Sequence, residues 1–531
     1  MLSRYHQSLV ISLTMMVLLV IPLNQEIVSA ETSKEVAYAD KMEDYVKTQM
    51  ETYKIPGMSI AIVKDGQVDY LQGFGVKNPN GEKITPDTPF LLASVSKSFI
   101  AVAILQLAEE GKLNVDDLVI KHLPWFDVAG DGENQITISH LLYHTSGFSE
   151  LGGVEAIIIP DEENALEIGV RNLASAELAF QPGEQFEYSN LNYNVLGLIV
   201  QEVSGQTFEE YIEQHIFTPL EMNHSFTSMA EARENGATSG YYPFFGIPIV
   251  YDNYMVSSRA TLPAGGLWSS ASDMSQYMLA YLNSAETENL ILSSASTSKL
   301  FNIGFEIDPS YGFGYAMGLF HADGFWDKEL LEKQNTELNQ YDFEQLNTYW
   351  HEGDWANYKS VLLFVPEHNF GVVALMNTND HTRTSGFRYF AWDITLIATG
   401  GQAQYFPTSE ETMVRYSKLW FGGLNLILIG FVFISLRQLR KFKSDTVNPA
   451  LQRKKFIQYA GIPLFIDIAL LGFIFLKLLP ENNTSIPVLL KQAPDLGIIC
   501  VMLLLLSGIW GIIRTGWFVI AWKGKSHANI K

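Results

Sequence analysis

Three apolar stretches near the C-terminus, Leu419–Leu436, Phe456–Leu479 and Leu496–Ile513 (the last running on toward Trp522), restrict this chain more than anything else in it. Each is close to the ~20 residues that cross the hydrocarbon of a bilayer, where only a helix satisfies its own backbone polar groups without water. Read as transmembrane helices (about 419–436, 456–479 and 496–516), they make residues 419–531 a membrane domain whose partner is the lipid bilayer. Arg437, Arg440, Lys441, Lys443, Arg453, Lys454 and Lys455 lie between the first two, and Lys523, Lys525 and Lys531 follow the third. The loop Pro480–Asp495 carries only Lys491 against Glu481 and Asp495. Basic residues stay cytoplasmic. The first loop and the C-terminus are therefore expected inside, and everything before Leu419 outside. Asp467 falls in the middle of the second span, where an ionised carboxylate is costly. Either it pairs with Arg514 of the third span, or it stays protonated while Arg514 reaches the interface.

The other end of the chain predicts the same topology. Met1–Ala30 has Arg4, an apolar run from Leu9 to Leu23 and a Val28-Ser-Ala30 ending. That is the pattern of a signal peptide (1–30) cleaved after Ala30; an uncleaved anchor ranks second, because the apolar run is short for a span. The formal net charge is -23, unevenly spread: from Thr412 onward 15 basic residues stand against 4 acidic ones, and before it 20 against 54. So acidic a front part argues against nucleic acid and against docking on anionic lipid. The single cysteine, Cys500, excludes an intrachain disulfide and a thiolate cluster, and the 11 histidines are scattered without metal-ligand spacing. Residues 31–400 are long enough for a sizeable core, and residues 401–418 read as a polar linker.

Within 31–400 the pattern predicts an amphipathic helix over Lys34–Tyr53, then two apolar runs around Lys64-Asp65-Gly66, a hairpin signal. Helices are expected over Ala165–Leu178, Leu191–Val203, Glu209–Met222, from Asp273 through Leu282, and over Ser385–Thr399. Tyr241–Met255, aromatic and proline-bearing with little periodicity, reads as a loop. Tyr311–Phe320, Ser360–Val365 and Gly371–Met376 are β-branched and aromatic, hence antiparallel strands. Hairpin first, helices in the middle, strands last: the class is α+β, with one sheet assembled from both ends of the chain.

The stretch Phe90–Gly111 organises this domain. Phe99 to Ala108 is apolar almost all round, so it reads as a buried helix stopped by Gly111. Ser94 opens it and Lys97 lies three residues on, on the same face. A serine hydroxyl needs an adjacent base to attack a carbonyl. A lysine supplies one where an apolar site disfavours its ammonium. Taken alone, the pair also reads as a capping serine beside a surface lysine.

Further motifs decide between these. Ser94-Val-Ser-Lys97, Tyr188-Ser-Asn190 and His351-Glu-Gly353, in that order, resemble the three-element set of the serine β-lactamase and penicillin-binding-protein superfamily, and more narrowly its class C β-lactamase and D-Ala-D-Ala carboxypeptidase branch. Leu141-Leu-Tyr-His-Thr-Ser-Gly147, Pro182–Asn190 and Pro263–Asp273 resemble that branch too, so the likeness covers roughly residues 35–400. It implies an antiparallel sheet flanked by helices plus an all-helical lobe. It further implies Ser94 as nucleophile, Lys97 and Tyr188 as proton carriers, and Asn190 holding Lys97 and touching the substrate amide. The backbone N–H groups of Ser94 and of Asp354, after Gly353, would form the oxyanion hole, each donor worth on the order of 3 kcal/mol. His351 stands where many relatives have lysine, positioned to bind a substrate carboxylate or tune Tyr188. Read alone, Tyr188 and Asn190 equally suit a helix cap, His351 a strand end, and His144 a structural role satisfied by backbone groups.

Glu352 and Asp354 depart from the small residues usual in the third motif. In a strand they fall on the side opposite His351 and Gly353. The implied function is a cell-surface serine hydrolase acting on peptide, D-amino-acyl amide, ester or β-lactam bonds, with no metal or organic cofactor. A sensor that binds penicillin or wall fragments and an inactive envelope scaffold are the alternatives. Preferred substrate and oligomeric state stay open.

Overall fold

The computed structural model describes residues 38–126, 128, 135–149, 161–252, 258–282, 291–323, 347–380, 384–403, 416–444, 449–479 and 485–528. The expected signal peptide and most of the linker lie outside these residues.

Helix α1 (Ala39–Tyr53) leads into strands β1 (Gly57–Lys64) and β2 (Gln67–Gly75), joined through Asp65 and Gly66. After β3 (Phe90–Leu91) come a short 3-10 turn, Ala93–Val95, and α2 (Ser96–Glu109). The helical lobe follows, with α3 (Asn190–Ser204) at its centre, then β4 (Tyr241–Phe244), β5 (Ile247–Val250), β6 (Trp268–Ser269) and α4 (Ala271–Leu282). Strands β7 (Phe305–Asp308), β8 (Phe313–Tyr315), β9 (Phe320–Asp323), β10 (Asn347–Trp355), β11 (Tyr358–Val365) and β12 (Phe370–Met376) precede α5 (Thr384–Ala398). Eight strands form one antiparallel sheet in the order β2-β1-β12-β11-β10-β9-β8-β7. The first hairpin thus pairs with the last strand, Ile60 opposite Ala374.

The central strands are apolar on both faces because both faces are covered. From β11 and β12, Val361, Leu363, Val372 and Ala374 pack with Met42, Val46 and Met50 of α1 and Phe390 and Ile394 of α5. Their alternates, Leu362, Phe364, Val373 and Leu375, pack with α2, α3 and α4 on the opposite side. The result is three layers: two helices, sheet, helical lobe.

Four expectations change. The strand expected over Tyr311–Phe320 is instead the end of a 3-10 turn, Pro309–Tyr311, followed by β8 and the start of β9, which pair antiparallel. Tyr241–Val250 is not a loop but the β4–β5 hairpin, with Pro243 opposite Pro248. Helix Ala165–Leu178 stops at Arg171 and continues as a 3-10 turn over Asn172–Ser175. Helix Glu209–Met222 is an α-helix over Phe208–Ile212 running into a π segment, Glu213–Phe217. At the C-terminus three helices, Leu419–Phe442, Arg453–Lys477 and Pro494–Lys523, are long and apolar enough to cross a membrane. Asp467 and Arg514 meet as a buried ion pair between the second and third.

Candidate active site

Ser94 sits where β3 ends and α2 begins. Leu92 N donates to Leu267 O at 2.8 Å and Ser360 Oγ donates to Leu92 O at 2.6 Å, fixing the strand end. Ala93 then takes a left-handed backbone, φ 46°, unusual for a residue with a Cβ and a store of local strain. The turn it makes brings Ser94 out of the core: Ser94 alone is not buried between Thr88 and Leu107.

Lys97 is fully buried, and its Nζ has three oxygen neighbours: Ser94 Oγ at 3.0 Å, Asn190 Oδ1 at 2.7 Å and Ala264 O at 2.7 Å. Burial pushes this amine well below its usual range. Two of the neighbours are carbonyl oxygens that only accept. In the neutral amine they take both N–H groups, leaving the lone pair for the Ser94 hydroxyl. Three oxygens fit an ammonium as well as an amine, so it is burial that favours the neutral base here. Ala264 was singled out by sequence only as part of Pro263–Asp273; its carbonyl role has no side-chain signature.

Tyr188 and Asn190 arrive on the lead-in to α3. His144, buried and at φ 58°, holds that segment. Its Nδ1 accepts from Ser189 N at 3.1 Å and from Asn192 Nδ2 at 2.9 Å, and its own carbonyl accepts from Glu187 N at 2.9 Å. The expectation that backbone groups satisfy His144 holds only in part: Nδ1 takes one backbone and one side-chain donor, Nε2 is buried without a hydrogen-bond partner among the described residues, and the ring lies 4.4 Å from that of Tyr188. Burial, then the nearby Lys97, holds His144 well below the usual histidine range. The Tyr188 ring has Lys97 Nζ 5.0 Å from its centroid and the ring of His351 at 5.9 Å.

The third motif is brought in by β10. Gly353 lies directly against the Ser94 turn: a Cβ there would stand 2.1 Å from Leu92 O and 2.1 Å from Ser360 Oγ, so only glycine fits. β9 pairs with β10 only as far as Trp350, whereas β11 follows it to Trp355. One edge of His351–Trp355 is thus without a strand partner among the described residues.

His351 is buried and tied to its own strand. Its Nδ1 lies 2.7 Å from the carbonyl oxygen of Glu352, so Nδ1 carries the proton and Nε2 is a bare, buried acceptor. Burial, reinforced by Lys97, pushes the ring down to about 3. A neutral imidazole of this tautomer does not form an ion pair with a carboxylate. Glu352 and Asp354 turn away, as strand alternation requires. Both bind Lys359 Nζ, at 2.6 Å and 2.8 Å. Asp354 Oδ1 also accepts from Asn379 Nδ2 at 3.1 Å. Ser94, Lys97, Tyr188, Asn190, His351 and Gly353 are therefore gathered at one place, and of Asp354 only the backbone is left for it.

Comparison with known proteins gives the same outline. "Protein flp" of Staphylococcus aureus (strain MW2) is 27% identical over 470 residues, covering 85% of this chain and 86% of its own length. Among solved structures, the octameric penicillin-binding protein homologue from Pyrococcus abyssi is 29% identical with a TM-score of 0.55, over 69% of this chain and 78% of that one. D-alanine carboxypeptidase AmpC from Burkholderia cenocepacia, 24% identical with a TM-score of 0.51, covers 64% of this chain and 95% of its own and shares the fold. The model of the Beta-lactamase family matches residues 42–393, from α1 to α5 with every one of the gathered side chains inside it, and the chain belongs to that family.

Proposed function

We propose that this chain is a membrane-tethered, extracytoplasmic serine hydrolase that works through a Ser94 acyl-enzyme. Its substrates are peptide, D-amino-acyl amide or ester bonds, β-lactams included, and its place is the cell envelope. The observation that carries the reading is the desolvated Lys97 Nζ at 3.0 Å from Ser94 Oγ, with its two N–H groups engaged elsewhere.

In the first step Lys97 takes the Ser94 proton as Oγ attacks the carbonyl carbon. The backbone N–H groups of Ser94 and Asp354 receive the developing oxyanion. Tyr188, beside Lys97, passes the proton to the leaving nitrogen or oxygen. Water then enters, and the same groups run in reverse to free Ser94. Asn190 fixes Lys97 and offers its amide to the substrate. The edge of β10 beyond Trp350, where the β9 pairing ends, suits an extended peptide lying alongside it. The penicillin-binding homologue among the similar structures supports the substrate class.

Tethering rests on the three apolar helices, with the basic first loop and the C-terminus in the cytoplasm. Contacts between the catalytic domain and residues 490–495, just before and within the start of the third helix, support placing that loop on the outer side with it.

Intact-mass spectrometry of the full chain in detergent tests the reading. Wild type and Ser94→Ala are exposed to a fluorescent penicillin and, separately, to an activated phosphonate. One adduct at Ser94 with both probes is expected. Phosphonate labelling alone would move the assignment to an esterase or aminopeptidase. A penicillin adduct that never turns over would favour a sensor. No adduct from folded protein would leave the scaffold.

A further inference from the structure

The catalytic domain keeps its large apolar side chains inside, with seven exceptions among the described residues: Val68, Leu118, Phe245, Ile247, Ile249, Val250 and Ile303. Four of these lie on the single β4–β5 hairpin, and Ile247 is the most open at 67% exposed. All of β5 is exposed. A strip of this kind, gathered on ten residues, marks a surface that meets something apolar.

Its surroundings identify what that is. The hairpin is tied to the membrane domain at the outer end of a span. Tyr242 Oη donates to Asp495 Oδ1 at 2.5 Å, and Phe245 N donates to Asp495 Oδ2 at 3.1 Å. Tyr251 Oη donates to Lys491 O at 3.1 Å. Asp495 is fully buried by these contacts and is the second residue of the third apolar helix, Pro494–Lys523. The turn at Phe245 and Gly246 is thus held at the level where apolar helix surface begins, which is the level where a bilayer begins.

The base of the hairpin is built into the catalytic domain. Tyr241 N donates to Asn377 O at 2.8 Å, and Thr378 Oγ1 to Tyr241 O at 2.9 Å. Asn357 Nδ2, in the turn that ends β10, donates to Tyr251 O at 3.2 Å. The acidity of the catalytic domain gives it no attraction to anionic lipid, so a lipid contact has to be made by apolar burial, and this hairpin is where such burial is available.

We propose that the β4–β5 hairpin is a membrane-insertion element. Phe245, Ile247, Ile249 and Val250 enter the headgroup–acyl boundary of the outer leaflet beside the third span. Asp495 is the clamp that holds them there. The strand bearing Gly353, linked to the hairpin through Asn357, is thereby held at a fixed height above the lipid. The proposal rests on the membrane-spanning reading of the three helices, and its test separates the two.

The test uses the full chain carrying Cys500→Ala, with Ile247→Cys, Leu118→Cys or Leu426→Cys labelled by a small fluorophore. Each protein is reconstituted into phosphatidylcholine nanodiscs containing lipid spin-labelled near the headgroup or mid-chain, and each must keep the parent's thermal melt. Leu426, exposed on the first helix, reports whether that helix is in lipid at all. The expected result is quenching at 247 by the shallow spin label several-fold stronger than at 118, with iodide quenching correspondingly weaker. Adding Asp495→Ala should return 247 most of the way to the behaviour of 118. If 426 is quenched while 247 matches 118, the proposal is overturned and the spans stand. If 426 is not quenched, both fall. A label at 247 shielded from lipid and iodide alike means that protein, such as a second copy, covers the hairpin, which also overturns the proposal.

Discussion

Lys97 and His351 sit on either side of Tyr188, both buried, yet burial gives them different work. Lys97 loses its proton readily because its ammonium is desolvated, so Ser94 acylation should fall as pH falls through a value well below the usual lysine range. His351 is protonated only near pH 3, so it contributes no limb to the profile between pH 5 and 9. The acid limb of adduct formation is therefore expected to persist unshifted in His351→Asn and to vanish with the activity in Lys97→Met. A limb that moves by a unit or more in His351→Asn would take the assignment away from Lys97. Stability carries its own pH signature. His144 and His351 both have folded values lowered from the ordinary 6.5. The unfolded chain binds protons there that the folded chain refuses, so their contribution is complete above about pH 6.5 and is lost as pH falls toward 3. Melting temperature should decline across that window, less steeply in His351→Asn.

At the scale of elements, the site depends on how closely β10 approaches the Ser94 turn. Gly353→Ala places a methyl 2.1 Å from Leu92 O, a backbone atom in a strained turn that cannot give way cheaply. A loss of about 1–3 kcal/mol in stability is expected, together with a Ser94 labelling rate down at least tenfold; a melt and rate like the parent's would show the contact to be looser than drawn. The opposite face of β10 holds Lys359, fully buried, between Glu352 and Asp354. Lys359→Met leaves two carboxylates without their cation and should cost at most about 3 kcal/mol, since Asp354 is 38% exposed and keeps part of its hydration; no loss in a thermal melt would show that Lys359 does not hold the motif. These elements differ in how far the sequence reveals them. The Ser94 helix, the first hairpin and the last two strands are legible, because apolar runs with turn residues between them state both period and limits. Strand alternation also placed Glu352 and Asp354 away from the site. The β4–β5 hairpin was missed, since Pro243 and Pro248 suppress strand propensity and neither strand alternates, β4 being buried over Tyr241–Pro243 and β5 exposed throughout; Gly246 between two apolar runs was the available signal. That His351 lies beside Ser94, Lys97 and Tyr188 was legible, but its charge state was not. Burial and the Glu352 carbonyl decide that, and neither is written locally.

For the whole molecule, one acidic Beta-lactamase-family domain and one basic three-helix domain meet on the side that the charge pattern calls outer, through Tyr242, Tyr251 and Asp495. Within the helices, Asp467 and Arg514 are both nearly inaccessible, 4% and 5% exposed, and face each other. Of the two sequence readings, a neutral aspartate with a snorkelling arginine or a pair, the structure has the pair. Its energetics are asymmetric. Removing one partner strands the other charge in an apolar interior at a cost of about 3–5 kcal/mol, whereas removing both leaves nothing to desolvate. Asp467→Leu and Arg514→Leu alone are therefore expected to lower the yield of monodisperse protein several-fold, measured by fluorescence-detected size exclusion of the full chain. The double Leu variant should recover most of that yield, as should the swap Asp467→Arg with Arg514→Asp. A double variant no better than the worse single one would mean that the two residues act separately, and that the second and third helices are held together by their apolar contacts alone.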